Sequence, residues 1–510
     1  MTVSDRTPVL IGVGEASERI DAADYEGVGP AELAGRAARA ALADSGAPDS
    51  AALAGALDVI AAIRQFEISG PNAKQPFGAA DNLPRAVGRR IGANPANAIL
   101  EVVGGQGPQH LVNEMAHKIA AGEVEMALLA GAEAISTVRH LMSREETRDW
   151  SEAVGGQMED RGYGLEGLIT GELIRHGLRT PIQIYALFEN ARRARLGLDR
   201  DAYGQVMGEL FAPFTQVAAD NPHAMSREVF TADELATVTA KNRLTADPFP
   251  RRMVARDQAN QGAAVLLTSV GKARALGVPE DRWVYLHGGA DVKERTVIER
   301  PELSRAPGAV AAVEQALSVA GKSVADMAAF DLYSCFPIAV FNICDALGIA
   351  PSDPRGLTVT GGLPFFGGAG NNYSMHALAS MARTLRARPG AFGLVGANGG
   401  FLSKYSVGVY STQPAPFTPF SSTALQAAVD AVASPPVAET VSGEGVVETY
   451  TIDYGGPAPK GLVIGRTPGG ERFVAYADDP ALVESMIADD PLGATIQIGA
   501  DEKGRNVVVG

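Results

Sequence analysis

Two phrases of sequence each occur twice, in the same order, and this duplication limits the fold more than any other feature. The first phrase is a proline-opened, alanine-rich helix with a stop glycine and then a short apolar run. It reads Pro30 to Leu42, Gly46, then Leu57 to Ile63. Its repeat runs from Pro307 through Ala316-Leu317 to Gly321, then Phe330-Asp331-Leu332-Tyr333. The Ala-Leu pair, Ala41-Leu42 or Ala316-Leu317, stands at the same interval before each stop glycine. Proline suits a first helical turn and glycine the position just past a helix end. The second phrase is a glycine turn, a helix and a strand. Gly104-Gly105-Gln106-Gly107 precedes a helix from about Gln109 to Ala121 and the strand Met126 to Ala130, which ends at Gly131. Gly367-Gly368-Ala369-Gly370 precedes a helix from about Asn371 to Arg386 and the strand Phe392 to Val395, which ends at Gly396.

Helices alternating with continuous apolar strands predict an α/β protein with parallel strands buried on both faces. Two such units, each burying helices against the other, predict five layers: helix, sheet, helix, sheet, helix. A strand at Pro8 to Val13 opens the first unit. An insertion at about residues 140–250, holding Tyr185-Ala186-Leu187-Phe188-Glu189 and the turn Asn221-Pro222, is too long for a plain loop. It reads as a mostly helical cap over the site. The expected division is an N-terminal half over 1–280, a C-terminal half over 281–412, and a linker with an added domain over 413–510. Gln413-Pro414-Ala415-Pro416 and Ser434-Pro435-Pro436 are linker-like. Alternation at Val447 to Ile452 and Thr495 to Ile498 predicts a small barrel-like β domain. An oligonucleotide-binding type of barrel is one candidate for it.

The formal net charge of −15 argues against a nucleic-acid partner. Asp478, Asp479, Asp489 and Asp490 say the same of the tail. With two cysteines, Cys335 and Cys344, there is no disulfide framework, and no zinc ligand set accompanies them. No basic-then-apolar leader opens the sequence, and no run approaches the roughly 18 apolar residues of a membrane span. A soluble cytoplasmic protein with reduced thiols and no bound metal is the expectation.

Glycine turns before helices present free N–H groups at the positive end of a helix dipole, where an anion or oxyanion can sit. The turns can equally be tight corners and nothing more. Tyr333-Ser334-Cys335-Phe336 and Ala397-Asn398-Gly399-Gly400 follow strands, and strand ends are where α/β sites collect. Cys335 also reads as a small core hydrophobe, and His376 as a packing residue.

Val112-Asn113, Ala121-Gly122-Glu123 and Leu128 to Glu133 (LLAGAE) resemble the region after the nucleophilic cysteine of thiolases. Gln261 to Leu267 (QGAAVLL) is similar to the stretch that closes the thiolase first half. GGLPFFGGAGNNYSMHA and SKYSVGVYS look like the type 1 thiolase-like proteins, a branch with an added C-terminal domain. The resemblance covers about residues 5 to 412 and implies the duplicated thiolase fold.

It also implies a stripped site. Counted back from Gly122-Glu123, the nucleophile's position holds Gly105. The Gly-His-Pro motif, whose histidine activates that cysteine, corresponds to Gly367-Gly368-Ala369, and the Cys-x-Gly motif to Ala397-Asn398-Gly399. Thiolase catalysis needs a thiolate, a base beside it and a second acid/base, and these positions supply none. Tyr333, Cys335 and Asn398 are then the candidate catalytic residues. Gly105, Gln106, His110, Gly368, Asn371, Asn372, His376 and Gly399 are the candidate substrate-binding ones. No resident cofactor is implied; a coenzyme A thioester is substrate or ligand. One reading has Tyr333 as acid/base in making or breaking a carbon–carbon bond of an acyl-CoA. A second is a non-catalytic acyl-CoA or lipid binder or scaffold. A third is conventional acetyl-CoA acetyltransferase activity. Thiolases are commonly dimers built across the duplicated core, so a homodimer is an expectation that the tail can change. The tail is also a candidate docking module for another protein.

Overall fold

The computed structural model describes residues 3–509. The duplication is visible strand by strand. In the first half Val59–Ile63, Met126–Ala134, Asn260–Ser269 and Pro8–Ser17 lie side by side. In the second, Met327–Leu332, Phe392–Gly399, Lys404–Ser411 and Val284–Lys293 take the same places. Directions match too: the first pair is parallel and the next two pairings are antiparallel in both halves. The first half adds an outer strand, Asn97–Glu101. The two sheets join edge to edge where Val9 pairs with Tyr285 and Leu10 with Val284.

Helices Gly107–Ala121 and Tyr373–Arg386 pack on each other between the sheets and touch strands of both halves. Pro30–Asp44 with Leu83–Ile91 covers the first sheet from outside, and Pro307–Val319 the second. That is the five-layered α/β stack expected. The repeated Ala-Leu pair has a physical reason. A side chain at Gly12 would overlap the carbonyl oxygen of Ala41, and one at Gly288 that of Ala316. Each outer helix lies so close to its first strand that only glycine fits beneath the alanine.

The insertion differs from its expected form. Its helices include Pro181–Leu196 and Arg200–Asp220, but much of residues 144–170 is irregular. Within this glycine-rich tract Glu159–Asp160 pairs in parallel with Ile99 and Leu100, covering the outer edge of the first sheet.

The tail is a closed five-stranded barrel of Gly443–Asp453, Lys460–Arg466, Arg472–Ala477, Asn506–Val509 and Thr495–Ala500. Helices Thr423–Ala431 and Pro480–Asp489 accompany it, and neither was evident from the strand-like alternation around them. The barrel docks on the long insertion helix. The Thr449 hydroxyl donates to the Leu187 carbonyl at 2.6 Å, Asn190 to the Tyr450 carbonyl at 2.9 Å, and Gln183 to the Asp453 carboxylate at 2.7 Å. Fully buried Arg472 pairs with Glu448 and donates to the carbonyls of Ile298 and Arg300. The insertion is therefore the shelf for the barrel as well as a cover for the core.

Candidate functional site

The two glycine corners touch. The Gly104 N–H donates to Asn371 Oδ1 at 3.1 Å, and the Ser374 hydroxyl donates to the Gly105 carbonyl at 2.5 Å. Asn371 also donates to the Arg64 carbonyl, and Asn372 to the Gly131 carbonyl at 2.7 Å. These two asparagines thus stitch the second turn to the first half. Their side chains are used inside the protein.

Tyr333 leaves the end of its strand and points at Gly105. A Cβ on Gly105 would overlap the Tyr333 hydroxyl and come within 2.7 Å of the Asn398 carbonyl oxygen. The phenol therefore fills the space in which a residue-105 side chain would begin. Its ring packs edge-on against Tyr373, 5.3 Å between centroids. Asn398 reaches the same place from the neighbouring strand. Its amide donates to the Tyr185 hydroxyl at 2.6 Å and lies 3.9 Å from Cys335 Sγ. The Tyr185 hydroxyl also accepts from the Leu402 N–H at 3.2 Å, and its ring stacks on Phe336 at 4.3 Å. Burial pushes the Cys335 thiol up to about 12 and the Tyr333 and Tyr185 phenols well above their usual range. At neutral pH all three are uncharged hydrogen-bonding groups.

Tyr333, Cys335, Asn398 and Gly105 thus come together, and Tyr185 is a member that the sequence did not single out. Nothing in an apolar helical run marks one tyrosine as special before the insertion is folded over the core. Gly368 lies at the rim. Its N–H donates to the Arg256 carbonyl at 2.7 Å, and the nearest atom to a Cβ there is that same oxygen, at 3.2 Å. Gln106 packs over Gly399 and Gly104.

Two expected members stand elsewhere. His376 faces the first sheet, with Nδ1 2.6 Å from the Glu15 carboxylate, itself paired with Arg383. Burial works against the Glu15 charge, but the His376 hydrogen bond and charge win and hold it down to about 2. His376 is a core residue. His110 faces the second sheet, with Nδ1 3.1 Å from Asp291. Together with Gln106 it lines a separate cavity of about 840 Å³. Partial burial opposes its charge, yet Asp291 pushes it up to about 9. The ligand atoms of Glu101, His110 and Glu114 lie within 4.8 Å of one another. Arg161 already spans both carboxylates at 2.7 Å, so the trio is an ion-pair network.

Glu133, in the segment that carries the family resemblance, is buried beneath the second turn. One oxygen accepts the Phe66 N–H at 2.7 Å; the other has no partner among the described residues. Burial pushes its carboxyl up to about 8. A carboxyl raised in the fold contributes most stability below its unfolded value, near 4.5. That contribution drains away as pH rises towards 8, at up to about 1.4 kcal/mol per pH unit. Glu133→Gln should flatten this slope, so that denaturant midpoints of variant and parent diverge between about pH 5 and 8 in the variant's favour.

A basic cleft of about 380 Å³ adjoins the site. Lys241, Arg243, Arg251, Arg252 and Arg256 line it, and none forms an ion pair with a carboxylate among the described residues. Burial and the neighbouring Arg251 and Arg19 charges lower Arg256. One wall of the cleft is bonded to the cluster: the Ala255 N–H donates to the Cys335 carbonyl at 2.9 Å, and the Arg256 carbonyl accepts the Gly368 N–H. The run of cations in an acidic sequence was the available signal for it.

Residues 424–503 match the family model of the thiolase-like protein type 1 additional C-terminal domain. A monomeric SCP2-thiolase-like protein type 1 from Mycobacterium smegmatis is 47% identical over 100% of both chains, with a TM-score of 0.86. The dimeric peroxisomal thiolase of Saccharomyces cerevisiae shares the fold at 15% identity and TM-score 0.58, covering 81% of this chain and 99% of its own. An Ltp2-ChsH2(DUF35) aldolase does so at 20% identity and TM-score 0.57, covering 80% and 98%. No curated protein matches the sequence. No helix among the described residues is long and apolar enough to cross a membrane. Duplicated core and added barrel agree with full-length similarity: the chain belongs to the type 1 SCP2-thiolase-like proteins.

Proposed function

We propose that this protein binds an acyl-CoA thioester and makes or breaks a carbon–carbon bond in it without an acyl-enzyme, with Tyr333 as proton donor. The observation that carries this reading is the Tyr333 hydroxyl standing where the nucleophile would start. Burial holds the phenol neutral, so it is no resting base, and it keeps a proton that only a more basic group such as an alkoxide can take. In the bond-forming direction the α-carbon loses its proton to solvent water, the resulting thioester enolate attacks a carbonyl carbon whose π pair moves onto oxygen, and the phenol gives its proton to that alkoxide and is reprotonated from solvent. The unpaired cations of the cleft suit the phosphates of coenzyme A, which arginine binds well.

A non-catalytic binder is the second reading. It is favoured by the absence, among the described residues, of any carboxylate hydrogen-bonded to Tyr333 or Cys335. Incubation with a panel of acyl-CoA esters, each with and without an aldehyde or ketone partner, separates the two by heat-stability shift and mass spectrometry of products. Binding with product supports the first reading and binding alone the second. No binding by any ester overturns both. Arg251→Gln with Arg256→Gln should weaken coenzyme A binding about 10- to 100-fold and reduce its salt dependence, as read by titration calorimetry.

A further inference from the structure

The largest cavity described above is separate from the Tyr333 cluster, and two of its cations have no carboxylate partner among the described residues. Its floor is the start of the Gly107–Ala121 helix, and the Thr423–Ala431 helix borders it from the linker to the barrel. Among its lining cations, Arg161 is matched to Glu101 and Glu114, and His110 to Asp291. Asp291 is held further by Ser406 at 2.5 Å and Asn113 at 3.1 Å. Asp430 is at the rim and accepts from Gln426.

Lys293 and Lys404 have no such match. They are directly opposed across the antiparallel pair, both line the cavity, and neither forms an ion pair with a carboxylate among the described residues. The Lys404 ammonium donates to the carbonyls of Val103 at 2.8 Å and Gly164 at 2.7 Å, which leaves its third N–H free. Like charges directly opposite on one sheet face repel. An anion between them turns that repulsion into attraction. The positive end of the Gly107–Ala121 helix, whose start lines the cavity, adds to the same field.

We propose that this cavity is a binding site for an organic carboxylate, with Lys293 and Lys404 as its cationic contacts. About 840 Å³ leaves room for a small organic acid or the end of an acyl group together with water. The carboxylate has two sources, a free acid or the far end of a dicarboxylic acyl-CoA. Only the second rests on the acyl-CoA reading above.

The test is calorimetric titration of the full chain, as wild type and as Lys293→Gln and Lys404→Gln. The probes are free adipate, adipoyl-CoA and hexanoyl-CoA. Lys404 also ties two backbone segments, so Lys293→Gln, on an exposed side chain, keeps the test open if the Lys404 variant fails to fold. For a dicarboxylic acyl group, adipoyl-CoA should bind about tenfold or more tighter than hexanoyl-CoA, and the lysine variants should erase the difference. For a free acid, adipate alone should bind saturably, with the same dependence on the lysines. Lysine-dependent adipate binding with no binding of either thioester would leave this site standing and sink the acyl-CoA reading. If adipate and adipoyl-CoA both show no lysine-dependent affinity, the cavity is no carboxylate site.

Discussion

Tyr333→Phe should abolish product formation from an acyl-CoA substrate, by about a thousandfold or more, while leaving coenzyme A affinity and thermal midpoint close to wild type. The size follows from removing a positioned proton donor, worth roughly 10²- to 10⁴-fold. Retention of binding follows from the geometry. The cations that suit the phosphates line a cleft joined to the site through the Ala255-Arg256 backbone, and the tyrosine takes no part in it. Stability should hold because the ring stays packed on Tyr373 and the hydroxyl has no hydrogen-bond partner among the described residues to lose. Cys335→Ala is the necessary contrast. Its thiol is held protonated and sits behind Asn398, so turnover should fall by no more than severalfold. Single-turnover assays with both variants read this directly. Full loss with Cys335→Ala and none with Tyr333→Phe would reverse the assignment and revive a sulfur nucleophile.

The duplicated fold was legible because its signals are local and repeated. Proline starts, glycine stops and continuous apolar strands need no tertiary knowledge, and Ala41 and Ala316 even mark where each outer helix presses on its glycine. The candidate site was legible only where a residue ends a strand, since strand ends in such a stack have one place to go. Tyr333 and Asn398 met that condition. His110 and His376 did not. Both lie shortly after a glycine turn, but on helices sandwiched between two sheets, so either face is an inside face. His110 turns to Asp291 of the second sheet and His376 to Glu15 of the first. Each is the fourth residue of its helix and each faces the sheet of the other half, a direction that only the stacking of the two halves reveals. Tyr185 was hidden for a further reason: it reaches Asn398 from a segment 213 residues away in sequence. The helix that carries it is braced by the barrel, whose docking surface has no sequence signature.

Gly105→Cys should not restore thiolase chemistry and should cost the fold about 3 kcal/mol. The new Cβ overlaps the Tyr333 hydroxyl and presses on the Asn398 carbonyl, and the sulfur needs still more room. Overpacking of a well-filled interior costs roughly 1–3 kcal/mol, occasionally more, and here one of the crowded atoms is backbone that cannot rotate away. No histidine is hydrogen-bonded to the Tyr333–Asn398 cluster among the described residues, His376 being held by Glu15 and His110 by Asp291, so even a seated thiol would lack a base. If Tyr333 is what excludes the side chain, the two substitutions must couple. Tyr333→Ala alone opens a cavity and is destabilising. Combined with Gly105→Cys, it supplies the space the cysteine needs, so the double variant should be more stable than the sum of the single effects by about 1–3 kcal/mol. Denaturant titration of the four proteins closes the cycle. Additive effects would mean that tyrosine and glycine are neighbours by accident. Strong coupling would mean that the phenol occupies the room a side chain at position 105 needs, so that in this site sulfur and tyrosine chemistry exclude each other by volume before any question of reactivity arises.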